Sequence, residues 1–357
     1  MVAQRDDSTP LHIVIIDETP ADQLSRIAQV GQHLEVHYIH DLVVKEYRLQ
    51  RDRPPGSEAE LGQTKGQVEA LLAQAEVLLG YPRSYGGARS RLQQAATPRL
   101  RWLQTTAAGL DQLESTGIFE RPVTITTGKG LRSLAMAEYV VWAMLTLNQD
   151  MWERFHHQSQ RLWQRRVEPM RRLQGQTLGI VGLGSVGGAA ARLAKALGMR
   201  VIATKRSVTQ RARNVDGVDE IFPKEELATL LTQSDYVLLS MPLTRETRRM
   251  IAEKELRAMK PTACLINVAR GGVIDQDVLI RALKEGWIKG AVLDVFTPEP
   301  LPPESELWGL PNAIVTPHVS AWAGDVTEAA TELFYQNLKR YLAGEPLLNM
   351  YDRALGY

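Results

Sequence analysis

Three residues able to move a proton or hold a carboxylate follow three apolar runs. "NVARGGVID" places Arg270 just past "ACLINV", "LDVFTPEPLP" places Glu299 after "AVLDV", and "TPHVSAW" places His318 after "AIVT". In an open α/β sheet, ligands bind outside the carboxyl ends of the strands, so all three are expected on one edge. A guanidinium grips a carboxylate with two parallel hydrogen bonds. An imidazole exchanges protons near neutral pH. A carboxylate beside that imidazole holds it charged and oriented. Together they suit hydride reduction of a 2-keto acid, with Arg270 and His318 touching the substrate. Taken singly, Arg270 reads equally as a strand-end cap, Glu299 as a surface acid and His318 as a half-buried structural histidine. The ordered trio favours a site.

A hydride needs a carrier, and "GIVGLGSVGG" supplies a place for one. Gly182, Gly184 and Gly187 form G-x-G-x-x-G between an apolar run and an alanine-rich segment. The first glycine permits a tight turn, the second a close approach to a pyrophosphate, and the third close helix–strand packing. The amides of Ser185 and Val186 are expected to face the phosphates from a helix N-terminus. A ribose-reading acid normally follows about 20 residues on. Here "MRVIAT" ends instead on Lys205, Arg206 and Ser207. Cations and a hydroxyl favour a 2′-phosphate over a free 2′-hydroxyl, so NADP(H) is expected over NAD(H). NAD(H) remains the alternative, with "KRS" then an ordinary solvated turn.

The elements that must position these residues are legible as short β-branched runs alternating with helical stretches. "LHIVII", "LEVHYI", "EVLLG", "RWLQT" and "VTIT" form one series; "LGIVGLG", "RVIAT", "YVLLSMP", "ACLINVA", "AVLDVF" and "AIVTP" form a second. Uniformly apolar runs separated by helices predict parallel strands covered on both faces. The expected architecture is α/β, with two doubly wound parallel sheets. A Rossmann cofactor domain (135–323) is inserted into a flavodoxin-like substrate domain (1–134), to which a C-terminal helix (324–357) returns. Residues 51–66, rich in turn formers, read as a surface loop. Residues 135–166, free of Pro and Gly, read as a long helix or a helix pair.

Composition bounds the remaining classes. The 357 residues hold 42 Lys and Arg against 41 Asp and Glu, a balance that argues against nucleic-acid and membrane-surface partners. The single cysteine, Cys264, excludes an internal disulfide and sits in an apolar run suited to core packing. No signal region or spanning stretch is evident, so a cytoplasmic location is expected. No metal site is expected.

From "LGIVGLGSVG" to "TPHVS", and over "LRWLQTTAAGLDQL" and "MAEYVVWAMLTL", the chain resembles the D-isomer-specific 2-hydroxyacid dehydrogenases. "MPLTRETRRMI", "LINVARGGVIDQDVL", "GAVLDVFTPEPLP" and "TPHVS" follow in that family's order. The resemblance implies Arg270 as substrate clamp, Glu299 as the partner that raises the imidazole pKa, and His318 as general acid–base. It implies that backbone amides at Ala108 and Gly109 hold the substrate carboxylate. Asp294 would bond the nicotinamide amide, and Val268 and Ala269 would touch the cofactor through backbone. Pro242 and Thr247 would lie on a loop beside it. A glyoxylate/hydroxypyruvate reductase-like enzyme using NADP(H) is the expected member. Arg83 has two readings, a contact for a second anionic group such as phosphate and a solvent-exposed arginine. A homodimer is expected through residues 135–166, which carry Trp142, Trp152 and Trp163. Two alternatives stay open here: a dehydrogenase-like nucleotide-sensing corepressor, and formate or phosphite oxidation on the same scaffold.

Overall fold

The computed structural model describes residues 9–80, 92–93, 95–164, 171–323 and 326–356; Arg83 and the side chain of Trp152 lie outside the described residues. The chain divides into two compact units, Met1–Leu131 with Gly324–Tyr357, and Arg132–Ala323.

In the first unit β1 (Leu11–Ile15), α1 (Ala21–Ala28), β2 (Leu34–Tyr38), α2 (His40–Asp52), α3 (Glu58–Gln74), β3 (Val77–Leu79), β4 (Trp102–Gln104) and β5 (Thr124–Thr126) build a parallel sheet of order β2-β1-β3-β4-β5. That is the flavodoxin-like order. β1 is buried at Leu11, Ile13, Val14 and Ile15, as a strand covered on both faces requires. The C-terminal helix Val326–Ala343 closes one face: Phe334 and Tyr341 each stack on Trp102 at 5.2 Å between ring centroids.

The expected loop at 51–66 is corrected here. Only residues 53–57 connect α2 to α3. Thr64, Val68 and Leu72 recur at a spacing of four and are buried, whereas a Cβ on Gly62 or Gly66 would meet nothing within 4 Å. Burial of one face overrides the poor helix propensity of two exposed glycines.

The second unit opens with a helix pair, α4 (Ser133–Asn148) and α5 (Met151–Ser159), separated where Asp150 adopts φ +46°. Then follow β6 (Thr177–Val181), α6 (Ser185–Ala196), β7 (Arg200–Thr204), β8 (Ala212–Val215), β9 (Val218–Phe222), α7 (Leu227–Gln233), β10 (Tyr236–Leu239), α8 (Glu253–Ala258), β11 (Cys264–Asn267), α9 (Gln276–Lys284), β12 (Gly290–Leu293) and β13 (Ala313–Val315). The sheet order is β13-β12-β11-β10-β6-β7-β9-β8. From β9 to β12 this is the Rossmann order, whose direction reverses between β6 and β10. The β8–β9 hairpin is absent from the sequence reading; β8 is antiparallel and sits at the sheet edge. Cys264 is buried in β11, and burial pushes its thiol up to about 11, as expected of a packing residue. No described helix is long and apolar enough to cross a membrane.

Candidate active site

Arg270, Glu299 and His318 follow β11, β12 and β13, which are adjacent, so the three segments share one edge of the second sheet. His318 Nδ1 lies 2.8 Å from Glu299 Oε2. Glu299 Oε1 accepts the Phe296 amide at 2.9 Å, which fixes the carboxylate from its other side. The Glu299 hydrogen bond raises the His318 pKa above its ordinary value and outweighs burial, which pulls it down. Burial pushes Glu299 up, yet the His318 hydrogen bond, the Phe296 amide and the nearby positive charges hold it below the usual carboxylate range. Arg270 acts on both groups, favouring the ionised carboxylate and opposing the imidazolium. Both shifts favour the charged forms of the pair, with His318 Nδ1 turned to Glu299.

A buried carboxylate holds the His318 loop. Asp294 is 0% exposed. Its Oδ1 accepts from the Thr316 hydroxyl at 2.6 Å and the Val319 amide at 2.9 Å, and its Oδ2 from the Ser320 amide at 2.9 Å. The His318 amide donates to the Asp294 carbonyl at 2.9 Å while His318 adopts φ +57°. Because Thr316 gives its only hydroxyl proton to Asp294, Tyr139 must donate in its 2.6 Å contact with Thr316 Oγ1. A carboxylate has about four lone-pair directions. Three are taken within the protein.

The Arg270 turn is braced by Asn267, which is 1% exposed and was not singled out from sequence. Its Oδ1 accepts the Ala269 amide at 3.0 Å and its Nδ2 donates to the Arg270 carbonyl at 3.1 Å. A buried polar residue ending an apolar strand was the available signal. Val268 and Ala269 are both buried at this strand end. A Cβ on Gly271 would stand 2.0 Å from the Phe296 carbonyl carbon, so only glycine lets this turn pack against the segment leading to Glu299.

The glycine turn lies at the reversal between β6 and β10. Gly182 has φ +96°, and a Cβ on it would meet Met241 Cβ at 2.7 Å. A Cβ on Gly187 would stand 2.7 Å from the Gly182 carbonyl oxygen. Gly184 borders open space, with nothing within 4 Å of its ideal Cβ. α6 then starts at Ser185 with no side-chain cap on its first amides, Val186 among them. An uncapped, dipole-positive helix start beside an open glycine fits a pyrophosphate.

Lys205, Arg206 and Ser207 follow β7 on the same edge, but Lys205 is not a bare cation. Its Nζ lies 2.7 Å from Asp216 Oδ2. Asp216 (φ +51°) and Gly217 (φ +76°) form the two-residue turn of the β8–β9 hairpin. Asp-Gly between strands is a standard signal for that turn, so Asp216 was within reach of the sequence. On the loop after β10, Thr247 accepts the Thr244 amide and donates to the Pro242 carbonyl, both at 2.7 Å, and so ties its own loop. In the first unit, Ala108 and Gly109 lie on the loop after β4, where the Ala107 carbonyl accepts the Thr105 hydroxyl at 2.9 Å and the Gly128 amide at 2.8 Å.

Fold and site together define a nucleotide-dependent oxidoreductase, and comparison with known proteins narrows the class. The family described as D-isomer specific 2-hydroxyacid dehydrogenase, NAD binding domain, matches residues 141–320. A glyoxylate reductase of Korarchaeum cryptofilum is 36% identical over 267 residues, covering 73% of this chain and 78% of that protein. A D-isomer specific 2-hydroxyacid dehydrogenase family protein from Aeromonas salmonicida has a similar structure, with a TM-score of 0.77 and 31% identity, covering 97% of this chain and 100% of that one. A D-isomer specific 2-hydroxyacid dehydrogenase from Xanthobacter autotrophicus Py2, in complex with NADPH and MES, gives a TM-score of 0.76 at 29% identity, covering 98% and 100%. The chain belongs to the D-isomer specific 2-hydroxyacid dehydrogenase family and is an NAD(P)-dependent oxidoreductase.

Proposed function

We propose that this protein reduces a small 2-keto acid of the glyoxylate or hydroxypyruvate type to the D-2-hydroxy acid, with NADPH as the preferred reductant. The observation that carries the reading is the His318–Glu299 hydrogen bond at the carboxyl edge of the nucleotide-binding sheet. The nicotinamide, when bound, supplies a hydride. Arg270 grips the substrate carboxylate and orients the carbonyl. His318, kept protonated by Glu299, gives its Nε2 proton to the carbonyl oxygen as negative charge develops there. Asp294, Thr316 and Tyr139 hold the loop that aims the ring. Lys205, Arg206 and Ser207 read the 2′-phosphate, and Gly182, Gly184 and Gly187 with the amides of Ser185 and Val186 accommodate the pyrophosphate. The glyoxylate reductase relatives and the NADPH complex of the Xanthobacter protein support the substrate and cofactor choices.

The proposal extends to a two-fold dimer. α4, α5 and the segment after them expose Trp142, Leu145, Phe155 and Trp163, the last by 95%. A cytoplasmic setting is also proposed, supported by a sole thiol that is buried. Turnover of a keto-acid panel with NADPH and NADH tests the function, together with His318→Ala. That variant should lose about a hundredfold or more in kcat while NADPH binding, followed by fluorescence, stays unchanged. A kcat within a few-fold of the parent would remove His318 from the reaction. Absence of turnover on every keto acid would reject the keto-acid substrate reading.

A further inference from the structure

The first unit carries a cluster that the reduction does not use. β1 and β2 pair in parallel with His12 opposite Glu35 and Val14 opposite His37. Strand alternation therefore puts His12, Glu35 and His37 on one face of the sheet. The two imidazole planes are 3° from parallel, with ring centroids 6.0 Å apart. His12 Nδ1 stands 3.4 Å from Glu35 Oε2, and His37 Nε2 stands 3.2 Å from Glu35 Oε1. Both nitrogens are buried, and neither makes a hydrogen bond. Buried polar atoms are normally hydrogen-bonded; here two imidazole nitrogens meet one carboxylate at ion-pair distance without hydrogen-bond geometry, and that arrangement needs a reason.

A divalent cation would supply that reason. Each residue offers one ligand atom, and these atoms all lie within 4.8 Å of one another. Zinc bonds of about 2.0–2.1 Å in a tetrahedron set neighbouring ligands about 3.3 Å apart. The two nitrogens lie 3.4 and 3.2 Å from opposite oxygens of the Glu35 carboxylate, close to that spacing, and a small side-chain shift would bring one oxygen to both. Glu76 is close by, accepting the His12 amide at 3.4 Å, but its carboxylate faces Arg99 at 3.9 Å and Arg101 at 3.7 Å. Those arginines set it apart as an ion-pair partner.

We infer that His12 Nδ1, His37 Nε2 and the Glu35 carboxylate bind a divalent transition metal, zinc above all, joining the edge strand β2 to β1. Two imidazoles and one carboxylate suit zinc, nickel or copper rather than magnesium or calcium, which prefer oxygen ligands. The fourth position is free for water. The site departs from the sequence expectation of no metal and stands independently of the keto-acid reading.

The test uses the full chain without an affinity tag, stripped of metal by chelator, and titrated calorimetrically with zinc chloride. One zinc per chain is expected, with thermal unfolding raised by several degrees at saturation, because an ion that binds only the folded state stabilises it. Glu35 is about half exposed, so Glu35→Gln preserves packing and should weaken zinc by about tenfold or more. His37→Gln should weaken it further. No uptake at micromolar zinc would overturn the inference. So would uptake unchanged in Glu35→Gln, which would place the ion elsewhere, such as the His318–Glu299 pair. Equal stabilisation by magnesium chloride would overturn the nitrogen-ligand assignment.

Discussion

Asp216→Asn is the sharpest probe of cofactor choice, because it changes one charge without changing the fold. Asp216 sits at φ +51°, where asparagine is comfortable, and Asn-Gly is a favoured pair for this turn, so the hairpin should persist. Asp216 and Lys205 form a 2.7 Å pair whose side chains are 53% and 38% exposed. Water screens such a pair, which contributes about 0.2–1 kcal/mol. A 2′-phosphate brings nearly two negative charges, and a charge-assisted hydrogen bond from Lys205 contributes about 1.5–3 kcal/mol. The phosphate therefore wins Lys205 from Asp216 but forfeits the smaller pair energy. Asparagine removes that loss, worth about 0.2–1 kcal/mol, so kcat/KM for NADPH should rise by about 1.4- to fivefold. The gain should appear in KM, because the phosphate is remote from the hydride. NADH should change little. Steady-state kinetics with both cofactors at low salt check this, and the gain should shrink at high salt. Lys205→Asp should have the opposite effect and shrink or reverse the NADPH preference. An NADPH/NADH ratio that is unchanged or lower in Asp216→Asn would mean that the adenosine ribose does not lie against Lys205.

Glu299→Gln should move the pH limb of keto-acid reduction to lower pH. The Phe296 amide keeps the Gln oxygen, the Gln amide group then faces His318 Nδ1, and the pair that raises the His pKa is gone; a pH–rate profile with an unmoved limb would reject the pairing. Arg270→Lys keeps charge but loses the planar fork, so the keto-acid KM should rise and kcat fall; unaltered kinetics would assign the carboxylate to another residue. Two neighbouring glycines should respond with opposite signs in denaturant unfolding of the cofactor-free protein. Gly187→Ala forces a Cβ to 2.7 Å from the Gly182 carbonyl oxygen and should destabilise by about 1–3 kcal/mol, whereas Gly188→Ala enters open space and should stabilise by about 0.4–1 kcal/mol.

Both strand series were legible because central parallel strands bury both faces and leave unbroken apolar runs such as "TLGIV" and "YVLL". α3 was hidden because its two glycines and flanking turn formers obscure a buried face that only the sheet makes necessary. β8 was hidden for a related reason. "ARNV" lies at an exposed sheet edge and carries no apolar run, so pairing with β9 rather than its own composition makes it a strand.

The amino-acid pattern by itself determined the α/β class, the dinucleotide turn and the order of Arg270, Glu299 and His318 along the chain. These follow from local rules, in which a strand needs an apolar run, a tight turn needs glycine, and strand ends recur along the sequence. Tertiary structure decided which charges meet. Asp216 meets Lys205 only because the folded β8–β9 hairpin brings its turn to that side chain, and Asp294 holds the His318 loop because β12 lies beside β13. His12, Glu35 and His37 share a face because β1 and β2 pair in one register; slipping either strand by a residue would send its side chains to the opposite face. Hydrogen bonds and ion pairs depend on ångström separations between distant segments, and periodicity along one strand carries no information about its neighbour's register.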